Sequence, residues 1–430
     1  MFNNFLKIIN VLVFRGFGSG ASIFFAVLVA RHLNSDDAAL IYLLTNIVIV
    51  LAVCVRWGMD EVIIRRVAVA AGSEARRVVC GDMLRLGHGR VVRNCLWLFA
   101  GVPFFFCVDR YFAVYNLRPE HWLFILVTSF TLALVACYGR VFQGLGKINL
   151  AMLLLNILVP GVACIWILGS IVILDEVSVL SIMLEYLLSA VILYVCLLIW
   201  TKKKLVGGIS SLDSLRTKSG RNDLRAANRL GTVIFAQQSL LWGSSLLVPA
   251  LFDSGIYTVF VISQKLSMVI SFVMLAVNFT FSSRMALLFD RKDYVNLSRL
   301  VIAAGSFVGV FAVLVAVSVL FFRAEIIDYT NMAYANAGML LSILVVSQVF
   351  NAMSALFSVI LSMVHQEKYL MRAQLIGNVL GFALFSMLAL RYNITIASCA
   401  FVATYLALAI GLLYRIIRIL TAHKNELPIV

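Results

Sequence analysis

The stretch "YTVFVISQKLSMVISFVMLAV", residues 257–277, is apolar over a length that matches a lipid bilayer. The hydrocarbon core of a bilayer is about 30 Å thick, and a helix needs about 20 apolar residues to cross it. Only helices and closed barrels satisfy their backbone hydrogen bonds in lipid, and this stretch is continuously apolar rather than alternating. It therefore predicts a membrane-spanning helix that carries Lys265 near its middle.

The rest of the chain has the same character. Of its 430 residues 63% are hydrophobic, and the mean hydropathy is +1.02, which leaves too little polar surface for a soluble globule. We expect an all-α polytopic membrane protein with twelve transmembrane helices. The predicted spans are 8–30, 38–57, 91–108, 121–139, 148–174, 177–200, 230–251, 256–281, 299–322, 336–364, 371–390 and 394–414.

The basic residues predict which side of the membrane each loop occupies. Cytoplasmic loops carry an excess of lysine and arginine. The odd-numbered loops hold only Arg31, Arg110, Arg118, Arg323 and Arg391, and most of the other 30 basic residues lie in the even-numbered loops and at the termini. Both termini are therefore predicted to be cytoplasmic, and the net charge of +15 is expected to meet anionic headgroups rather than nucleic acid.

A basic segment, "TKKKLVGGISSLDSLRTKSGRNDLR" at 201–225, divides the predicted spans into six and six. We expect an N-terminal six-helix bundle at 1–200, a basic cytoplasmic linker at 201–225 and a C-terminal six-helix bundle at 226–430. The entry into the second span, "ARHLNSDDAALIYLLTNIVIV", resembles the entry into the eighth, "ALFDSGIYTVFVISQKL". Such an echo is typical of transporters built from parallel repeats with a central site.

Three ionisable residues, Arg15, Glu185 and Lys265, lie deep within predicted spans. A charge at the bilayer centre costs at least about 2.5–3.5 kcal/mol, and such residues usually face a bundle interior or a water-filled cavity. Gln264 extends the polar character of the helix around Lys265. Two interpretations of Lys265 stay open: a cation that binds substrate in a cavity, or the ion-pair partner of Glu185. Glu185 is equally open as a counter-ion, a proton-coupling group or a packing residue.

Amide side chains recur on other spans, either adjacent or at helical spacing. They line a substrate path or form hydrogen bonds between helices, and the sequence does not separate these roles. With the ionisable residues, they make up the candidate substrate cavity: Arg15, Lys265, Gln264, Glu185, Gln237, Gln348, Asn351 and Asn378. We expect no metal site, because the eight cysteines occur singly and without the spacing of metal ligands.

Four motifs follow one another along most of the chain: "LVARHLNSDDAALIY", "WGMDEVIIRRVA", "GRVFQGLGKIN" and "DSGIYTVFVISQKLS". Together they resemble the motifs of the Wzx-type polysaccharide (O-antigen) flippases of the MOP exporter superfamily. The resemblance implies a V-shaped pair of six-helix bundles around a central cationic cavity. It also implies transport of an undecaprenyl-diphosphate-linked oligosaccharide from the inner to the outer leaflet. The chain departs from the pattern in "FAQQSLLWGSSLLVPAL", which lacks the carboxylate often found in the seventh span.

The predicted function is thus a flippase in the bacterial inner membrane that serves the synthesis of O-antigen or another surface polysaccharide. Its expected partners are the lipid-linked oligosaccharide, the lipid bilayer, and polysaccharide polymerase and chain-length proteins, with no cofactor. One alternative is a drug or cation antiporter of the same superfamily, which would favour an acidic cavity. A glycan polymerase or glycosyltransferase is the enzymatic alternative, but the short outer loops and the lack of a phosphate-binding motif disfavour catalysis.

Overall fold

The computed structural model describes residues 20–70, 73–112, 115, 117–174, 178–204, 218–271, 285, 288–289, 291–330, 334–364 and 366–424. Every regular element within these ranges is helical. Nine of the described helices are long and apolar enough to cross a membrane, and the bent pair Asp223–Ala236 and Gln238–Leu251 provides a tenth candidate. The prediction of an all-α polytopic membrane protein is therefore confirmed.

We number the helices in chain order. They are α1 (Gly20–His32), α2 (Ser35–Arg56), α3 (Met59–Val69), α4 (Ser73–Phe112), α5 (Pro119–Gly144), α6 (Ile148–Met152), α7 (Leu158–Leu174), α8 (Val179–Lys204), α9 (Lys218–Leu251), α10 (Ser254–Ser267), α11 (Tyr294–Phe321), α12 (Arg323–Tyr329), α13 (Ala337–Met363), α14 (Glu367–Arg391) and α15 (Ile394–Lys424).

Three predicted spans have a more complex structure than a single straight helix. The span at 91–108 is the second part of α4, a 40-residue helix that begins in the preceding loop. The span at 148–174 contains a π-helical turn, Leu153–Ile157, between α6 and α7. In the described part of the span at 256–281, the α-helix ends at Ser267 and a 3-10 turn, Met268–Ser271, follows it.

The chain divides into two compact units, which we call the N-terminal unit (the described part of Phe17–Phe235) and the C-terminal unit (the described part of Ala236–Val430). In the N-terminal unit, α5 is the central helix and packs against α2, α3, α4 and α8. The sequence of α5 suits this central position, because small or apolar side chains lie on most sides of the helix. At Gly139 the approach is so close that a Cβ atom would lie 2.7 Å from Leu155 of the π-helical turn.

In the C-terminal unit, α13 is the central helix and packs against α10, α11 and α15. The core of the unit is built from leucine, valine and alanine side chains of these helices, including Ala304, Leu341 and Val345. Helix α14 lies at the periphery of the unit and packs mainly against α15.

The second and eighth predicted spans begin in a similar way. Helix α2 has Asn34 as its N-cap, whose Oδ1 accepts a hydrogen bond from the Asp37 backbone N–H at 2.8 Å. Helix α10 has Asp253 as its N-cap. The tyrosines that follow, Tyr42 and Tyr257, are both fully buried. The similar sequences therefore form helices that each begin after an extended N-cap residue and bury the following tyrosine, but only α2 has a side-chain cap hydrogen bond, donated by the backbone N–H of Asp37.

Helix α9 is shared between the units, because the division falls between Phe235 and Ala236. The sequence placed the start of the second half at residue 226. Asp223 and Asn228, however, bond to side chains of the N-terminal unit. The first part of α9 therefore folds with the helices that precede the basic segment, and only its second part folds with those that follow.

Candidate functional site

Lys265 lies in the last turn of α10 and is half-buried. It follows the start of the helix by about 11 residues, or about 16 Å at 1.5 Å per residue. The change from α-helix to 3-10 helix at Met268 comes three residues later. A 3-10 turn within a longer helix often marks a hinge or a functional segment. The lysine thus lies about one turn before a change in the helical geometry of the span.

Helix α10 also presents hydrogen-bond donors without partners. The buried side-chain atoms Thr258 Oγ1, Ser263 Oγ and Gln264 Nε2 have no hydrogen-bond partner among the described residues. Thr258 and Lys265 are two turns apart and lie on the same face of the helix. Buried polar atoms in proteins are normally satisfied, so such donors indicate a place where water or a polar ligand binds.

Gln264 is held in place by the neighbouring helix. Its Oε1 accepts a hydrogen bond of 3.1 Å from Ser245 Oγ of α9, and its side chain is buried. In this orientation of the amide, Gln264 Nε2 is a donor that has no hydrogen-bond partner among the described residues. This arrangement suits contact with an acceptor such as a phosphate or sugar oxygen.

Gln348 and Asn351 of α13 are brought together with the end of the α10 span. Gln348 Oε1 accepts hydrogen bonds from Ser271 Oγ (2.8 Å) and from Asn351 Nδ2 (2.9 Å). Gln348 is buried and Asn351 is half-buried. The two residues therefore fix the 3-10 turn below Lys265 against the central helix of the unit.

Asn378 belongs to a different network. Its Nδ2 donates to Gln374 Oε1 at 2.9 Å, and Gln374 Nε2 donates to Ser358 Oγ of α13 at the same distance. Both amides are buried. These contacts join α14 to α13, so they correspond to the role of interhelical hydrogen bonding that the sequence left open.

Glu185 of α8 is buried in the N-terminal unit. Its Oε1 accepts a hydrogen bond from Ser170 Oγ of α7, and its Oε2 has no partner among the described residues. The described partner of Glu185 therefore lies in its own unit. Arg15 and the side chain of Gln237 lie outside the described residues.

An ion network that sequence reasoning missed joins two of the quoted motifs. Asp60 bonds to Arg56 Nε at 2.8 Å and lies 3.2 Å from Arg140 Nη2, so "WGMDEVIIRRVA" and "GRVFQGLGKIN" meet in space. Burial alone would raise the pKa of Asp60, but the two arginines outweigh it and hold the pKa below its ordinary value. The sequence contained one sign of this network: Arg56 and Asp60 are four residues apart, a spacing that lets side chains on a helix form an ion pair.

A second set of polar contacts holds the start of α9 against other helices of the N-terminal unit. Arg66 Nη2 lies 2.8 Å from Asp223 Oδ1, and Arg90 Nη2 donates to Asn228 Oδ1. Trp57 and Phe235 are in tilted ring contact, with centroids 6.0 Å apart. The first half of α9 is therefore held against α3 and α4, the two helices that follow α2.

These helices and their arrangement within each unit can be compared with known structures. The chain is similar to a multidrug resistance MATE family transporter of the MOP superfamily in an inward-facing conformation, with a TM-score of 0.69 at 15% identity over 97% of this chain and 99% of that one. The chain has the MATE fold. This confirms the predicted architecture of two bundles with twelve transmembrane helices.

Two further solved structures agree with this result. One is the outward-facing conformation of a multidrug resistance MATE family transporter, with a TM-score of 0.66 at 15% identity, covering 97% of this chain and 96% of that chain. The other is a MOP superfamily transporter from Pyrococcus furiosus, described by the reversed polarity of its binding pocket, with a TM-score of 0.62 at 14% identity and coverage of 97% and 96%. The sequence itself matches no protein-family model and no curated protein.

Proposed function

We propose that this protein is a flippase that moves an undecaprenyl-diphosphate-linked oligosaccharide across the bacterial inner membrane. The observation that carries the proposal is the set of polar groups on α10, where Lys265 accompanies Thr258 Oγ1 and Gln264 Nε2, two buried donors without a partner among the described residues. A diphosphate with attached sugars offers anionic and neutral oxygen acceptors. A cation and neutral donors on one helix suit both kinds of acceptor.

The charge balance of the C-terminal half favours an anionic substrate. The predicted spans from residue 230 onward contain Lys265 but no aspartate or glutamate. A lysine ammonium is a compact charge on a flexible stem, so it can follow a phosphate group over part of its path. The sugar and diphosphate would pass through the water-filled interior by alternating access, while the prenyl chain remains in lipid.

The MATE fold is compatible with this substrate but does not determine it. A fold hosts different functions, and the substrate is set by the residues of the site. The Pyrococcus furiosus transporter with the same fold is described by a binding pocket of reversed polarity and a different function. In the cell, the flippase would hand its substrate to polysaccharide polymerase and chain-length proteins.

Substitution of Lys265 tests the proposal. Lys265→Arg should keep much of the transport because charge and reach are preserved, whereas Lys265→Ala and Lys265→Glu should reduce it at least tenfold at an unchanged protein level. The measurement is surface polysaccharide together with lipid-linked repeat units that accumulate on the inner leaflet. Gln374→Ala serves as a control, because Gln374 joins helices α13 and α14.

A double variant separates substrate binding from an ion pair with Glu185. If the two residues formed a pair, Lys265→Ala would lower the protein level, and Lys265→Ala with Glu185→Ala would restore both level and transport. Full recovery in the double variant would contradict the proposal.

A cation exporter is the second candidate, and Glu185 favours it. This buried carboxyl group has one oxygen without a partner among the described residues, as a site for a cation or a proton would require. Under this function, loss of the gene should increase sensitivity to cationic drugs, Glu185→Gln should have the same effect, and surface polysaccharide should stay normal. The opposite pattern is expected for the flippase.

A further inference from the structure

A groove runs along the surface of the C-terminal unit between helices α14 and α15. Its volume is about 530 Å³, and its walls are formed almost entirely by apolar side chains of the two helices. It extends on α14 from Tyr369 to Leu384, a distance of about 22 Å at 1.5 Å per residue. It has no part in the networks described above.

Small residues create the groove. On α14, a Cβ atom at Gly377 would lie 2.5 Å from Leu408, and one at Gly381 would lie 2.3 Å from Thr404 Oγ1, so the two helices pack closely at its floor. On α15, Ala403 and Ala407 are exposed and line the groove. Because the side chains of these alanines are short, the groove stays open above the contact between the two helices.

The groove opens toward the surroundings of the protein. Ile376 and Leu380, which line it, are 57% and 63% exposed. In a membrane-spanning segment, such exposed apolar side chains face lipid chains. The length of about 22 Å exceeds one half of the hydrocarbon core, which is about 15 Å. A hydrocarbon chain from one leaflet therefore fits along it.

One end of the groove is polar. Tyr369 donates a hydrogen bond of 3.2 Å to the carbonyl of Gly411, and the Arg415 guanidinium lies 5.2 Å from the centre of the Tyr369 ring. Arg415 also donates to Gln366 at 2.8 Å. Arg372, one turn beyond Tyr369, lines the groove, is exposed, and has no ion-pair partner in the described part of the chain.

We propose that this groove binds an anionic phospholipid of the cytoplasmic leaflet, with one acyl chain along the groove and the phosphate at Arg372. The charge of Arg372 complements the phosphate at the end that the distribution of basic residues places at the cytoplasmic surface. A single aliphatic chain suits the apolar walls of the groove and its length of about 22 Å.

The test is retention of lipid by the full-length protein, measured by native mass spectrometry after exchange into mixtures of phosphatidylglycerol and phosphatidylethanolamine. The wild-type protein should retain phosphatidylglycerol preferentially. Ala407→Phe, which fills the groove, and Arg372→Gln, which removes the charge, should each reduce this retention at least fivefold. Matched controls are Ala383→Phe, at an exposed position of α14 outside the groove, and Arg418→Gln, at an exposed position of α15.

The remaining outcomes overturn the proposal. Equal retention of the two phospholipids by the wild-type protein would exclude recognition of an anionic headgroup. Unchanged retention in both groove variants would place the lipid elsewhere. Displacement of phosphatidylglycerol by an equimolar polyprenyl phosphate would assign the groove to the carrier lipid instead. Thermal unfolding of each variant, compared with its control, identifies a loss of retention that results from misfolding. The readout is lipid binding, so it is independent of the transport activity proposed above.

Discussion

At the scale of single residues, Asp60 is a buried carboxylate that meets two arginines. It bonds to Arg56 and Arg140, and its side chain is 11% exposed. A buried ion pair contributes modestly as a whole, but removing one partner leaves the other charges uncompensated. Replacement of the Asp60 carboxylate by an amide is therefore expected to destabilise the N-terminal unit.

We predict that Asp60→Asn destabilises the protein by about 3–5 kcal/mol, because Arg56 and Arg140 lose their shared carboxylate. Arg118→Gln should cost less than about 1 kcal/mol, since Arg118 and Glu120 are exposed and 3.8 Å apart. Thermal unfolding of the purified protein measures both. Equal effects of the two substitutions would show that the Asp60 network is not a structural centre.

The network also predicts a dependence of stability on pH. The pKa of Asp60 is lowered in the folded protein, so its contribution is present above the unfolded-state value of about 3.9 and is lost as the pH falls through the folded-state value. The wild-type protein should therefore lose stability below about pH 4, and Asp60→Asn should lose less over the same range. A parallel loss in both proteins would contradict the assignment.

At the scale of elements, the first half of α9 depends on the turn between α2 and α3. Gly58 has a φ of +76°, and a Cβ atom there would lie 2.1 Å from the carbonyl oxygen of Ala227. Gly231, one turn further along α9, packs against Trp57 in the same way. The helix therefore sits directly on the backbone of the turn, which only glycine permits.

We predict that Gly58→Ala releases the first half of α9 from the N-terminal unit. Gly146 provides the control, because it has a similar φ of +75° but nothing within 4 Å of a Cβ atom. Gly146→Ala should cost about 1–2 kcal/mol from backbone strain alone. Gly58→Ala should cost more and should also accelerate tryptic cleavage at Arg225. Identical rates of cleavage in the two variants would argue against this contact.

At the scale of the whole molecule, the prediction that remains to be tested is the orientation in the membrane. Tags at Leu205, Lys292 and the C-terminus should be cytoplasmic, and labels at Asn116 and Asp175 should be external. The reason is that only five of the 35 lysines and arginines fall in the odd-numbered loops. Labelling of the 201–225 segment from outside the cell would overturn the topology, and with it the leaflet assigned to the lipid groove.

The candidate site was predictable in part. Lys265 stands out in any sequence of this composition, because one charge in a long apolar run is visible without a structure. The roles of the amides were not predictable. Gln348 bonds to Ser271, whereas Gln374 bonds to Ser358, and spacing along a helix does not reveal which neighbouring helix a side chain meets.

The sequence by itself determined the fold class, because lipid leaves a continuously apolar chain no choice other than helices that satisfy their own backbone hydrogen bonds. It also determined the predicted topology, since charged loops are restricted by the membrane potential and surface. Only the tertiary structure decided which distant residues meet: Arg66 pairs with Asp223, which lies 157 positions away in the sequence. Such contacts, like the groove between α14 and α15, depend on how closely helices approach, and this distance is set by small residues that pack against one another in three dimensions.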